Sequence, residues 1–129
     1  MTSHKKINTR YHEIWIDETG VLRVVTTESC EVDLEEAMAC FAVYEKLGCK
    51  ENRTVQLLDA RVGVTITKEA RDYAAKRGPF YFMASAIISD SLTTRLMVNF
   101  FVKLYPDTVP FKMFSNEADA LKWLNQHRP

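Results

Sequence analysis

Apolar positions in this chain change period several times, and each change marks an element. Residues 11–17 (YHEIWID) alternate loosely and residues 21–27 (VLRVVTT) are β-branched. Glu18, Thr19 and Gly20 between them form a turn signal, so the segment predicts a β-hairpin. From Asp33 the period lengthens: Leu34, Ala37, Met38, Phe41 and Tyr44 recur at three- and four-residue steps, one face of a helix. Asp33 and Glu36 stand at N-cap and N3 spacing, a capping-box-like start, and Gly48 is a natural stop.

Residues 53–59 (RTVQLLD) predict the next strand, and residues 60–66, with Gly63, a loop. Thr67 can cap a second helix in which Ala70, Tyr73, Ala74 and Arg77 share a face, ended by Gly78 and Pro79. Residues 83–89 (MASAIIS) predict a short strand buried on both faces. Asp90 or Ser91 caps a third helix that runs to about Tyr105, and Pro106 and Pro110 bracket a loop. Residues 111–114 predict a last strand, and Ser115 or Asn116 caps a final helix with Ala118, Leu121 and Leu124 inward. The order is ββαβαβαβα. Strands that alternate with helices after a hairpin predict a single-domain α/β sandwich, with packed helices on a mixed sheet of about five strands. Residues 1–10 read as a flexible N-terminal tail and residues 11–129 as the domain.

Composition narrows the function classes. Seventeen Lys and Arg balance seventeen Asp and Glu, so the chain lacks the footprint of a nucleic-acid or anionic-membrane binder. No apolar run approaches the ~20 residues of a membrane-spanning helix, and no apolar leader follows the polar start, so no membrane insertion is expected. Cys30, Cys40 and Cys49 are odd in number and lack CxxC spacing, which predicts reduced thiols and a cytoplasmic location. Cys40 falls in the helical apolar pattern and reads as a small hydrophobe. His4, His12 and His127 are scattered, with His12 read as surface-facing on the first strand. They suggest neither a metal site nor a general base, and no GxSxG, P-loop, GxGxxG or HExxH occurs. Cys30 near a helix start has no placed base. No enzymatic activity, cofactor or metal is expected.

Four segments carry a resemblance: LLDAR at 57–61, TKEARDYAA at 67–75, ASAIISDSLTTRLMVNFF at 84–101 and PFKMFSNEADALKWL at 110–124. With the element order they resemble the SpoIIAA-like branch of the STAS fold, in a bacterial form of uncharacterised role. The resemblance implies an α/β sandwich and a protein-binding regulator, such as an anti-sigma factor antagonist. In those regulators a phosphorylated serine follows the third strand. Here residues 61–67 read RVGVTIT, without serine, and Thr67 and Thr65 lie nearest.

In an open α/β sheet ligands collect beyond the carboxyl ends of the strands. One strand ends in Asp59, Arg61, Thr65 and Thr67, another in Ser89, Asp90, Ser91, Thr93, Thr94 and Arg95. If the strands are parallel these clusters share an edge toward which two helix N-termini point, a docking surface for an unidentified protein partner. The plainer account is that they cap helix ends. In the third helix apolar residues wrap most of the circumference, leaving Arg95, Asn99 and Lys103 as a polar stripe. A neighbouring helix, a ligand or a second copy in a homodimer must cover the excess. Phe80, Phe82, Met97, Phe100, Phe101 and Leu104 are the candidates for that dimer face, or for an aromatic-lined pocket. Two functions follow: a non-enzymatic regulatory or protein-interaction module, or a carrier of a small apolar, lipid-like ligand.

Overall fold

The computed structural model describes residues 5–129. Its elements are β1 (Ile7–Asn8), β2 (His12–Ile16), β3 (Leu22–Thr26), β4 (Cys30–Val32), α1 (Leu34–Lys46), β5 (Thr54–Asp59), β6 (Val64–Ile66), α2 (Lys68–Arg77), β7 (Phe82–Ile88), α3 (Leu92–Leu104), β8 (Phe111–Phe114) and α4 (Glu117–Asn125). A 3-10 turn, Gly78–Phe80, joins α2 to β7. Capping chemistry sets the helix starts. Asp33, Thr67, Ser91 and Asn116 each accept a hydrogen bond from the backbone N–H three residues on. Gly20, at φ +90°, turns β2 into β3, a conformation that other residues reach only with strain.

The main sheet has six strands in the order β1-β2-β3-β5-β7-β8. The first two pairings are antiparallel and the other three parallel, so β5 and β7 end at the same edge. Two expectations need correction. Ile7 and Asn8, read as part of a flexible tail, pair with Ile14 and Glu13 and add a sixth strand; residues 1–4 of that tail lie outside the described residues. Val64–Ile66, read as loop, pairs in parallel with Cys30–Val32 as a second, two-stranded sheet. Three residues carry too little periodicity to announce a strand.

Period-2 alternation divides the sheet. Val55, Leu57, Ala84, Ala86 and Ile88 pack against Ala120 and Leu124 of α4 on one face. Gln56, Leu58, Ser85 and Ile87 turn to the other face, which α1, α2 and α3 cover. A register shift between Thr54 and Val55 opposes Thr54 to Phe82 but Val55 to Ala84, leaving Met83 as an extra residue. This bulge puts Phe82 on the same face as Ser85, three residues on. Phe41 of α1 lies edge-on to Tyr44, Tyr73 and Tyr81, an aromatic cluster that ties α1 to α2 and to the start of β7. No helix among the described residues is long and apolar enough to cross a membrane.

Candidate functional site

The parallel pairing of β5 with β7 brings both polar clusters to the carboxyl edge of the sheet. Their side chains do different things there. Asp59 accepts from the Arg61 backbone N–H at 3.2 Å and pairs with its guanidinium at 3.0 and 2.5 Å, which holds the Asp59 carboxyl below its usual range. Thr67 and Ser91 are occupied as caps. Ser89 is buried and accepts from the Ser91 N–H at 3.1 Å, and Thr94 is buried. Asp90 and Arg95 are exposed. Thr65, Ser91 and Thr94 come together, with Ser29 and Cys30, in an open polar cleft. Cys30 is no activated thiol: burial, with Glu36 and Glu28 nearby, raises its pKa.

The second site is a cavity of about 180 Å³ between the sheet and helices α1 to α3. Strands supply Val24, Leu58, Ile87 and Phe111; small residues Ala37, Ala60 and Ala74 leave the space; Met97 and Phe101 of α3 close it. Of the six residues expected at a pocket or dimer face, Phe82, Met97 and Phe101 line this cavity. Phe80, Phe100 and Leu104 are instead exposed, at 63%, 52% and 47%. Neighbouring residues on a helix point about 100° apart, so Phe100 and Phe101 cannot serve the same surface.

One wall of the cavity is polar, and sequence reasoning missed it. Glu36, read as the N3 residue of a capping box at the helix start, is 3% exposed, and His12, read as surface-facing, is 6% exposed. The Glu36 backbone N–H donates to Asp33 at 2.9 Å as the cap requires, but its carboxylate turns inward. Oε2 accepts from Thr9 Oγ1 at 2.5 Å and from Tyr11 N–H at 3.1 Å, and lies 2.6 Å from His12 Nδ1. Burial alone would raise this carboxyl; the three donors outweigh it and hold the group below its usual range. Cys40 Sγ lies 3.6 Å from His12 Nδ1, and burial, with Glu36 beside it, pushes the thiol up to about 12. Gln56 Nε2 donates to the Tyr44 hydroxyl at 3.1 Å, and Ser85 Oγ donates to Gln56 at 2.7 Å. Two buried polar groups, Ser85–Gln56–Tyr44 and Cys40–His12–Glu36, thus line an otherwise apolar space.

His12, Glu36 and Cys40 place three metal-ligand atoms within 4.8 Å of one another. The carboxylate oxygen of that group already serves three donors. A signal for it was present. His12 is in phase with Ile14 on β2, and Glu36 and Cys40 are four apart in α1, beside Ala37, Phe41 and Tyr44. His4 falls among residues 1–4, outside those described, and His127 stacks by Trp123 at 4.5 Å, far from these groups in the fold.

An α/β sandwich with this sheet order and a cavity under three helices defines the class: the fold is SpoIIAA-like. The neighbour that shows it is an uncharacterised protein of the DUF3478 family from Shewanella loihica PV-4, whose crystal structure has a SpoIIAA-like fold. It is 20% identical, with a TM-score of 0.66 over 96% of this chain and 98% of that one. The family whose model matches residues 14–128 is described as "Domain of unknown function (DUF7793)", and the chain belongs to it. No curated protein matches the chain.

Proposed function

We propose that this protein is a non-catalytic binding module that takes up a small, mainly apolar ligand between its sheet and helices α1 to α3. The observation that carries this reading is the cavity. At about 180 Å³ it slightly exceeds, by volume, the ~150 Å³ in which an engineered apolar cavity holds benzene. It is smaller than the ~300–1,000 Å³ of pockets for drug-sized molecules, so the ligand is a single ring or a short chain. Close-packed interiors hold few voids larger than water, which makes a space of this size a reason to look for an occupant. Titration with p-xylene, followed by NMR, checks the reading. Saturable shifts at the methyl groups of Val24, Leu58, Ile87 and Met97 are expected; unsaturable or scattered shifts would contradict it.

A second reading, interaction with a partner, draws on a different observation. Leu92, Leu96, Phe100 and Leu104, four apart on α3, are 69%, 60%, 52% and 47% exposed, with Arg71 of α2 over the Phe100 ring at 5.1 Å. A symmetric homodimer through α3 is the form of this reading we favour. The adjoining edge at Asp59, Arg61 and Arg95 would then contact the second copy or a further regulatory partner. Sedimentation across the micromolar range should show a dimer that Leu96→Glu dissociates. A monomer at every concentration ends this reading and leaves the first intact.

A further inference from the structure

We propose that the cavity selects a ligand carrying a hydroxyl on an otherwise apolar body, and that His12 Nε2 is the acceptor that seats it. This rests on the ligand-binding reading above and names the ligand's chemical class.

The proton on the imidazole has one place to sit. Glu36 Oε2 lies 2.6 Å from Nδ1 and already accepts from Thr9 and Tyr11. An ionised carboxylate can only accept, so Nδ1 carries the proton, and in the neutral ring Nε2 is left with a lone pair. Among the described residues Arg71 Nε is the one buried side-chain nitrogen or oxygen without a partner. His12 Nε2 makes no hydrogen bond there either, so it is not sealed in protein. The ring lines the cavity, and in this proposal Nε2 faces that space.

The rest of the polar wall sharpens the selection. The Ser85 hydroxyl is committed to Gln56, and one Gln56 amide N–H to Tyr44. These donors are spent within the chain. Val24, Leu58, Ile87, Met97 and Phe101 make most of the remaining wall apolar; Thr26 and Thr108 add two hydroxyls, and that of Thr108 donates to the Ala75 carbonyl at 3.0 Å. A molecule without a donor leaves Nε2 unpaired in a dry space. One with a carboxylate would set a second anion against the histidine that Glu36 already engages. A hydroxyl satisfies Nε2 without adding charge, and its apolar body fills the remainder.

The matched probes are p-cresol and p-xylene, which differ by a hydroxyl in place of a methyl group. The experiment is run on the intact chain, where the ¹⁵N shifts of the ring before ligand is added report whether a single nitrogen carries a proton. In the native protein both bind, and p-cresol, not p-xylene, moves the ¹⁵N resonance of His12 Nε2 while Nδ1 stays protonated. His12→Phe weakens p-cresol about tenfold relative to p-xylene, the effect of one lost hydrogen bond. If that variant fails to fold, the ring resonance of the native protein still decides. Binding of p-xylene alone, or p-cresol binding at saturation without a shift at Nε2, overturns the acceptor role and leaves the cavity reading standing. Failure of both probes removes the two together.

Discussion

Ala74→Leu is expected to raise stability and to abolish ligand uptake in the same protein. Ala74 lies on α2 at the wall of the cavity, where a larger side chain meets empty space instead of packed atoms. Each buried methylene contributes about 0.8 kcal/mol, partly offset by local repacking, so a gain of about 1–2 kcal/mol is expected. For a domain of this size that raises the thermal midpoint by roughly 3–8 °C. The added isobutyl group occupies the volume the ligand needs, and affinity for p-xylene should fall at least about a hundredfold, on the order of the ~2.7 kcal/mol that tenfold steps imply. The opposite signs matter. A substitution that merely damaged the fold would lower both quantities, and one on a surface unrelated to binding would leave affinity unchanged. Calorimetric melting and NMR titration of the one variant measure both.

Glu36→Ala should be the most damaging single substitution at the site, costing about 3–5 kcal/mol. That is the lower part of the range expected when three buried donors lose one acceptor, at about 1–3 kcal/mol each. Thr9, the Tyr11 N–H and the His12 ring all lose their acceptor in a region with little water to replace it. Glu36→Gln keeps the shape and isolates the charge. The folded-state pKa of Glu36 lies below its usual 4.5, so the group stabilises the fold above that pH and the contribution is lost as pH falls through the folded value. Asp17 and Asp59 are also lowered and titrate in the same direction in both proteins. The native protein should therefore lose stability more steeply than the Gln variant on acidification below about pH 4.5, as urea midpoints would record. Parallel curves for the two proteins would mean that Glu36 titrates alike in the folded and unfolded chain.

These two residues also show what could be read from the chain and what could not. The helices, the hairpin and the long strands follow from local periodicity, and the caps from Asp33, Thr67, Ser91 and Asn116, residue types whose side chains satisfy free N–H groups. The α/β sandwich followed from that element order, and its SpoIIAA-like character from the resemblance carried by segments such as 84–101 and 110–124. Val64–Ile66 was not readable, because its strand exists only by pairing with Cys30–Val32, more than thirty residues earlier. Glu36 was misread in an instructive way. Local rules assign an acidic residue at N3 to the cap, and nothing near it in sequence says that residues 9–12 fold back over it. His12 offered an equal choice of faces until β1 and β3 fixed its side of the sheet. The cavity has no sequence signal at all, being the volume that Ala37, Ala60 and Ala74 fail to fill. The carboxyl edge, by contrast, could be derived from strand direction alone. Its caps and its Asp59–Arg61 pair account for most of its polar groups, so the emphasis moves from the edge to the interior.

A crystal soaked in p-iodotoluene tests the central claim most directly, because the anomalous signal of iodine reports where an apolar ring settles. The account predicts one strong site beneath α3, between Met97 or Phe101 and the Leu58–Ile87 face of the sheet. Iodine found only on the outer surface of α3, or a collapsed interior with no site at all, would contradict it.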